Sequence, residues 1–274
     1  MTPASGGQAP FDASSPLNGR TAMVTGASRG IGRQIALRLA EAGADIVLTA
    51  RTEELLTSAS AEVRAVGCKA LAVPADLRCA EDIRRLAEVV ERDAGSPDIL
   101  VCNGGVAGPT ADLWDIDPEV WEETFAVNVT AVFLLCKALL PAMLARRTGC
   151  VVLIGSATGK RPLPMRTPYA ASKAALIGLV RSLAWEAGHH GIRVNLISPG
   201  PVTGPRLDAV INKQSVARGE PPDDLRATMV TGSPLGRLTT PKDIADAVLF
   251  LASDRALAIT GEDLNVSSGW VMHG

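Results

Sequence analysis

The chain has 274 residues, which suffice for one large domain with a substantial core and are few for two ordinary domains. Its formal net charge is -2, from 27 basic and 29 acidic residues without a long block of one sign, so composition gives no electrostatic footprint for nucleic acid. No stretch approaches the roughly 18 uninterrupted apolar residues of a membrane span, and we expect neither nucleic acid nor a membrane among the partners.

The first 18 residues are rich in Pro, Ser, Gly and Ala and lack the basic start and apolar stretch of a secretory signal. We predict a flexible N-terminal tail over residues 1–18, a single domain over residues 19–274, and a cytoplasmic location. The five cysteines lie far apart and lack the paired spacing of zinc or disulfide frameworks. We therefore expect reduced thiols and no metal site.

From Arg20 onward, short runs of β-branched and apolar residues alternate with helical patterns. Predicted strands cover residues 21–25, 45–50, 68–73, 99–102, 150–154 and 194–197. Such runs suit a parallel sheet buried on both faces, and the segments between them have helical spacing, as in Ile83, Leu86 and Val90. We predict an α/β fold: a single-domain, doubly wound (Rossmann-type) parallel sheet with helices on both faces.

The first predicted strand runs into the glycine-rich turn Thr25-Gly26-Ala27-Ser28-Arg29-Gly30-Ile31-Gly32, and a helical pattern opens at once. Glycines let the backbone approach a pyrophosphate, whose charge can lie against helix N-terminal amides. A tight strand-to-helix connection without a ligand is the alternative. The turn predicts a dinucleotide site formed by Gly26, Ser28, Arg29, Gly30, Ile31 and Gly32.

The second predicted strand ends at Thr49-Ala50-Arg51. Enzymes that hold an unphosphorylated adenosine ribose usually present a carboxylate at this place, and none is present here. Arg51 and Arg29 can instead clamp a 2′-phosphate, unless both point into solvent. We predict NADP(H) as the cofactor rather than NAD(H).

Ser156 follows the fifth predicted strand, and farther on a helix begins with Tyr169-Ala170-Ala171-Ser172-Lys173. Tyr169 and Lys173 are four residues apart and share one helix face. A nearby ammonium lowers the pKa of a phenol from about 10 towards the range of a general acid and base. Tyr169 is the single tyrosine of the chain, and a Ser156 hydroxyl can bind the substrate oxygen.

Over residues 17–274, the sequence resembles the short-chain dehydrogenase/reductase family. The family's Thr-Gly-x3-Gly-x-Gly turn is similar to residues 25–32. Its other motifs, in the same order, match Asn128 (within Phe125-Ala126-Val127-Asn128-Val129), Ser156, Tyr169, Lys173 and Pro199-Gly200. The Tyr/Lys pair alone would be a weak signal, but several separated motifs in order are specific.

The resemblance implies a metal-independent mechanism. Tyr169 exchanges a proton with the substrate oxygen as hydride crosses to or from nicotinamide, and Ser156 orients the substrate. Lys173 holds the nicotinamide ribose and stabilises the phenolate, and Asn128 holds a water that feeds a proton relay. The resemblance also implies cofactor contacts from Asp76, Leu77, Asn103, Gly104, Tyr169, Lys173, Pro199, Gly200, Val202 and Thr203. For Asp76, an acidic helix cap is the alternative.

Two motifs depart from the family pattern. Cys102-Asn103-Gly104-Gly105 stands where the family has Asn-Asn-Ala-Gly. Gly204 occupies the usual threonine position after Pro199-Gly200, with Thr203 one residue earlier, so the hydroxyl that reaches the nicotinamide amide is left open.

Residues 204–236 carry many prolines, glycines and charges after the sixth predicted strand. Ligands of open α/β sheets bind beyond the carboxyl ends of strands, so we predict a mobile substrate cover, with a surface excursion of short helices as the alternative. Between Ser156 and Tyr169, Arg161 and Arg166 can meet an anionic substrate or lie in a solvated loop. We expect Trp114, Trp121 and Trp185 to be packing groups.

Together these observations predict an NADP(H)-preferring oxidoreductase that interconverts a secondary alcohol, including sugars and polyols, and its ketone or aldehyde. A 3-oxoacyl thioester reductase is an alternative within the same chemistry. A non-catalytic, nucleotide-binding redox sensor or scaffold is an alternative from another class. The resemblance also implies a homo-oligomer, a dimer or tetramer, to which the apolar residues 264–272 can contribute.

Overall fold

The computed structural model describes residues 15–272, in which seven parallel strands form one sheet with the order β3-β2-β1-β4-β5-β6-β7. The strands are β1 (Thr21–Thr25), β2 (Asp45–Ala50), β3 (Ala70–Pro74), β4 (Ile99–Cys102), β5 (Gly149–Ile154), β6 (Ile192–Pro199) and β7 (Asp263–Val266). β1 pairs with both β2 and β4, so the chain changes direction across the sheet between β1 and β4. Ligand crevices of open α/β sheets form at such a switch point.

Helices cover both faces of the sheet. They are α1 (Gly30–Glu41), α2 (Glu53–Ala65), α3 (Ala80–Ala94), α4 (Pro118–Phe125), α5 (Ala131–Arg146), α6 (Thr167–Gly188), α7 (Pro205–Arg218), α8 (Pro222–Thr231) and α9 (Pro241–Ala252). α1, α2 and α9 pack on one face around Ile35, Leu56 and Val248, and α3, α5 and α6 pack on the other. The predicted doubly wound α/β fold is confirmed.

Strand boundaries differ from the prediction in β3, β5 and β6, and the fifth strand begins at Gly149, one residue earlier than predicted. The third strand begins at Ala70, two residues later than predicted, and the sixth extends over Ile192–Pro199. The sheet also contains β7, which the sequence analysis missed and which pairs with β6 at the sheet edge.

The domain begins earlier than predicted. Residues 1–14 of the predicted tail, and residues 273–274, lie outside the described residues. Leu17 of that tail is fully buried, and its backbone N–H donates to the Ala42 carbonyl at 2.9 Å. Residues 17 and 18 therefore belong to the folded domain.

The segment 204–236 is largely helical. α7 and α8 occupy most of it and pack against each other. Each begins with a proline, Pro205 or Pro222, at the position where the missing N–H costs nothing. The alternative of short helices describes the segment's structure, and its service as a substrate cover stays a prediction.

A continuous helical stretch over Pro118–Arg146 joins α4, a π-helical turn (Ala126–Thr130) and α5. By length and composition alone it could cross a membrane, and half of its most apolar window is buried inside the domain. Among the described residues, no cluster of His, Cys, Asp and Glu could hold a metal ion, and the five cysteines are free thiols.

Candidate active site

The glycine-rich turn forms a cradle at the N-terminus of α1. Gly30 opens this helix with φ of 56°, and a Cβ there would meet nothing within 4 Å, so the approach to the backbone is open. A Cβ on Gly32 would lie 2.2 Å from the Gly26 carbonyl oxygen, so only glycine fits where helix and turn meet. The N-cap residue Arg29 makes no side-chain capping bond, and the first helical N–H groups stay free for an anion.

The turn after β4 is fixed to the end of β1. The Thr25 hydroxyl accepts hydrogen bonds from the backbone N–H of Asn103 at 3.0 Å and of Gly104 at 2.8 Å. The Asn103 amide donates to the Thr25 carbonyl at 2.9 Å. A Cβ on Gly104 would lie 2.4 Å from Leu77 Cδ1, so Leu77 packs directly against this turn. The predicted cofactor residues of β1, β3 and β4 therefore adjoin one another.

Arg51 and Arg29 are exposed, and neither side chain forms a hydrogen bond or ion pair among residues 15–272. The guanidinium of Arg78 binds Asp76 and holds the pKa of that carboxyl below its usual range, with a smaller contribution from Arg51. The N-cap residue of α3 is Cys79, so the helix-cap alternative for Asp76 is wrong. The end of β2 thus presents free positive charge and no carboxylate.

Beyond β6, the chain folds back towards the start of α9. A Cβ on Gly200 would lie 2.9 Å from Ser267 Cα, so the chains touch closely there. Val202 forms a bridge with Thr239, and the Thr203 N–H donates to the Thr239 carbonyl at 2.9 Å. This backbone is held in an extended form next to Pro199, whereas Gly204 has φ of 128° and opens α7.

Tyr169, Lys173 and Ser156 converge as predicted from their spacing. The Lys173 ammonium is buried, donates to the Ile154 carbonyl at 2.8 Å and lies 5.8 Å from the Tyr169 ring centroid. The Ser156 hydroxyl lies close enough to the phenol to contribute to lowering the pKa of Tyr169. α6 supplies the tyrosine and lysine, and the end of β5 supplies the serine.

The charges around Tyr169 favour its phenolate. Burial alone would raise the pKa of Tyr169, but Lys173, Arg206, the Ser156 hydrogen bond and Arg166 together lower it. Burial also lowers the pKa of Lys173, against the effect of the phenolate. Both groups can therefore exchange protons closer to neutrality than in water.

Asn128 is buried in the π-helical turn and is fully hydrogen-bonded. Its Oδ1 accepts from the Val106 N–H at 2.9 Å, and its Nδ2 donates to the Val106 carbonyl at 3.1 Å and to Ser172 Oγ at 3.0 Å. A Cβ on Gly105 would lie 3.0 Å from Asn128 Oδ1 and 3.6 Å from Lys173 Nζ. Asn128 therefore lies next to the predicted proton relay and fixes the loop after β4.

Cys102, which replaces the family asparagine, is buried beside Cys136. A hydrogen bond to Cys136 and burial together raise the pKa of the Cys102 thiol. The cofactor-side contacts of this turn come from Asn103 and Gly104, so the departure leaves the turn intact.

Of the three arginines near the site, Arg161 contacts Trp270, whereas Arg166 and Arg206 bind the loop after β4. Arg161 is exposed and stacks on Trp270, with its guanidinium carbon 4.3 Å from the ring centroid. Arg166 is 2% exposed and lies over the Tyr169 ring at 5.2 Å. Arg206, which was not predicted as a site residue, donates to the Gly105 carbonyl at 3.1 Å. Its position just after the Pro199-Gly200 turn was the available signal.

The residues that bracket the switch point fit a nicotinamide dinucleotide: an open glycine cradle, free helix N–H groups, and free arginines where the ribose phosphate would lie.

The tryptophan prediction holds only in part. Trp121 stacks on Phe125 with centroids 4.9 Å apart, but Trp114 and Trp185 are 82% and 77% exposed.

Comparisons with known proteins identify the family of the chain. A family model described as enoyl-(acyl carrier protein) reductase matches residues 26–271. The 3-oxoacyl-(acyl-carrier-protein) reductase of Staphylococcus aureus is 35% identical over 254 residues, covering 92% of this chain and 98% of the relative.

Two solved structures are also similar. NAD+-bound xylitol dehydrogenase has a TM-score of 0.88 at 30% identity, covering 91% of this chain and 98% of that one. Actinorhodin polyketide ketoreductase with NADPH has a TM-score of 0.87 at 34% identity, covering 92% and 97%. The chain is an oxidoreductase that acts on CH–OH groups, and it belongs to the short-chain dehydrogenase/reductase family.

Proposed function

We propose that the chain is an NADP(H)-preferring oxidoreductase that interconverts a small secondary alcohol, including sugars and polyols, and its ketone or aldehyde. The observation that carries the proposal is the buried ammonium of Lys173 beside the single tyrosine, with Ser156 on the same phenol. When bound, the nicotinamide supplies or accepts the hydride.

Side chains of the protein carry out the other steps of the reaction. Ser156 and Tyr169 bind the substrate oxygen, and the phenol donates its proton to that oxygen in reduction or takes one from the alcohol in oxidation. Lys173 holds the nicotinamide ribose and stabilises the phenolate. Asn128 keeps the loop after β4 beside Lys173, and the family resemblance implies that it holds a water of the relay. The other cofactor contacts are those that the family resemblance implies, and Thr203 is the candidate hydroxyl for the nicotinamide amide.

The test is Tyr169→Phe with a panel of ketones, aldehydes and polyols. Loss of the phenolic proton should lower kcat by about a hundredfold to ten-thousandfold, the usual contribution of a general acid or base. NADPH binding, measured by its fluorescence, should be retained. Wild-type turnover in the variant would contradict the proposed role of the phenol.

The preference for NADP(H) rests on the free guanidinium of Arg51 and the absence of a carboxylate at the end of β2. The similar ketoreductase was solved with NADPH, which supports this choice, and the similar xylitol dehydrogenase was solved with NAD+. Arg51→Gln should lower kcat/KM for NADPH by about tenfold or more, because charge-assisted bonds to the phosphate are lost.

For the same variant, kcat/KM for NADH should stay nearly constant. Arg64→Gln, an exposed arginine at the end of α2, is the matched control and should change neither value. A wild-type enzyme that uses NADH as well as NADPH would refute the clamp.

A second candidate function is reduction of a 3-oxoacyl thioester, which the name of the Staphylococcus aureus relative favours. Turnover of acetoacetyl thioesters at a higher kcat/KM than any small ketone would select it. A redox sensor or scaffold without turnover is the third candidate, and the presence of both Tyr169 and Lys173 disfavours it.

We further propose a cytoplasmic homo-oligomer, a dimer or tetramer, whose substrate is a small molecule.

A further inference from the structure

Two arginines flank the catalytic tyrosine from different elements. Arg166 precedes α6, is almost fully buried and lies with its guanidinium carbon 5.2 Å from the Tyr169 ring centroid. Arg206 lies in the first turn of α7 and is exposed. They donate to two carbonyls of the same loop, Arg166 to Ala107 and Arg206 to Gly105.

The loop that receives these bonds borders the reaction site. A Cβ on Gly105 would lie 3.6 Å from Lys173 Nζ, and a Cβ on Gly108 would lie 3.7 Å from Tyr169 Cβ. The two guanidinium groups are therefore anchored next to the place where the substrate oxygen is bound. Most of their remaining N–H donors are unassigned, and the buried Nε of Arg166 has no partner among residues 15–272.

The charge of this cluster is uncompensated. Neither Arg166 nor Arg206 forms an ion pair within the described part of the chain, and the acidic side chain nearest in sequence, Asp208, is paired with Arg226. Arg206 repels the other two cations, since it lowers the pKa of both Arg166 and Lys173, although burial is the larger cause in each and the Tyr169 phenolate acts in the opposite direction. Cations that repel one another in one site are stabilised when an anion binds among them.

We propose that Arg206 and Arg166 form a subsite for an anionic group of the substrate, a carboxylate or a phosphate carried within a few bonds of the reacting carbon. The exposed Arg206 contacts the anion directly, and the buried Arg166, which lies over the Tyr169 ring, adds positive charge to the subsite. This inference rests on the proposed function and narrows its substrate class to oxo acids, hydroxy acids or their phosphorylated counterparts.

The first experiment uses the single tyrosine as a reporter. Near-ultraviolet absorbance of tyrosinate is titrated in the NADP+ complex, so that the cofactor fills its own phosphate sites, with inorganic phosphate, acetate or chloride at equal ionic strength. A bound anion disfavours the phenolate, so phosphate or acetate should shift the Tyr169 titration to higher pH relative to chloride. In Arg206→Gln, the shift should disappear.

Lys213→Gln removes a free exposed cation from the same helix and is the matched control, which should respond as the wild type does. Absence of a shift with both anions in the wild type, or an undiminished shift in Arg206→Gln, would overturn the subsite. A loss of NADPH affinity in Arg206→Gln as large as its loss of anion response would assign Arg206 to the cofactor and overturn it as well.

The second experiment compares charged and neutral substrate pairs with NADPH. The carboxylate arm is acetoacetate against methyl acetoacetate, and the phosphate arm is dihydroxyacetone phosphate against dihydroxyacetone. In at least one arm, the anion should be reduced with a kcat/KM about tenfold to a hundredfold higher, as expected for charge-assisted hydrogen bonds. Arg206→Gln should remove this preference mainly through KM, and Arg206→Lys should restore part of it.

The outcomes separate the two proposals. If neutral and charged members turn over equally well, the oxidoreductase proposal stands and the anion subsite is wrong. If no compound turns over although the Tyr169 titration responds to anions in the predicted way, the subsite stands and the proposed reaction or cofactor is wrong.

Discussion

The ionisation of Tyr169 depends on a balance between burial and three neighbouring positive charges. Burial disfavours the phenolate, and Lys173, Arg206 and Arg166 favour it strongly enough to lower the pKa of the phenol. Lys173 lies on the same helix face and remains in place when α6 forms, whereas the arginines depend on how two loops pack. The Tyr169–Lys173 pair therefore forms with α6 itself, and the two arginines lower the pKa of Tyr169 further.

Replacing Lys173 by methionine should raise the pKa of Tyr169, because the cation with the largest effect on the phenol is lost and a group of similar length remains. Alcohol oxidation needs the phenolate, so the rising limb of its pH profile should move to higher pH. Ketone reduction needs the protonated phenol and should stay active to higher pH. Absorbance titration of the single tyrosine and the two pH profiles measure the shift.

Lys173→Arg retains the charge and serves as the control. Its profile should stay closer to that of the wild type than the profile of Lys173→Met. An unchanged pH limb in Lys173→Met would mean that another group governs proton transfer.

The site was predictable from sequence where spacing along one element decides the geometry. Tyr169 and Lys173 are such a pair, and the glycines of residues 25–32 open a helix directly after a strand. Arg206 was missed because its contact with Gly105 joins residues 101 positions apart. For Arg166, the prediction left open whether the side chain meets a substrate or lies in solvent, since nothing local in the sequence distinguishes a buried arginine from an exposed one.

At the scale of elements, the π-helical turn Ala126–Thr130 positions the loop after β4. It interrupts the helix between α4 and α5 and turns the Asn128 amide towards Val106, whose N–H and carbonyl it pairs at once. π-helical turns cost hydrogen-bond geometry and are retained where they serve a site. Here the turn couples the long apolar helix to the loop that borders Lys173.

Asn128→Ala should lower the free energy of unfolding by about 2 to 4 kcal/mol, because both Val106 groups lose their partner. Urea unfolding measures this loss, and hydrogen exchange of the Val106 amide should become faster. Ser172→Ala removes one partner of Asn128 and leaves Val106 paired, so it should cost about 1 kcal/mol. Equal costs for the two variants would contradict this account of the turn.

The element boundaries follow the sequence where a strand is buried on both faces. The predicted bounds of β1, β2 and β4 match because each strand has a run of at least three consecutive apolar residues that are all buried. β7 was missed because Asp263-Leu264-Asn265-Val266 is a short, half-exposed edge strand with polar alternation. The helices α7 and α8 were only the alternative prediction because their prolines resemble helix breakers, yet each proline lies at the first helical position, where it is favourable.

At the scale of the whole molecule, two apolar cores sandwich the sheet, but α5 is apolar on its outer side as well. Residues 131–145 carry one charged side chain, Lys137, and Phe133 is 52% exposed. On the neighbouring α6, Trp185 is 77% exposed. A helix that is apolar all round is normally buried on all sides, and large exposed aromatic residues mark contact surfaces. The described chain leaves this side of α5 and α6 uncovered.

A second copy of the chain is the cover that we expect, in agreement with the proposed homo-oligomer. Sedimentation velocity or light scattering of the wild type should give a multiple of the 28.5 kDa chain mass. Phe133→Glu should shift the equilibrium towards the monomer, because burying an unpaired carboxylate in an apolar contact costs several kcal/mol. Val216→Glu, at an 88% exposed position on α7, should leave the assembly unchanged. A wild-type monomer at micromolar concentration would refute the contact. Association of Phe133→Glu as tight as that of the wild type would move the contact to another face, such as the edge near Leu264 and Met272.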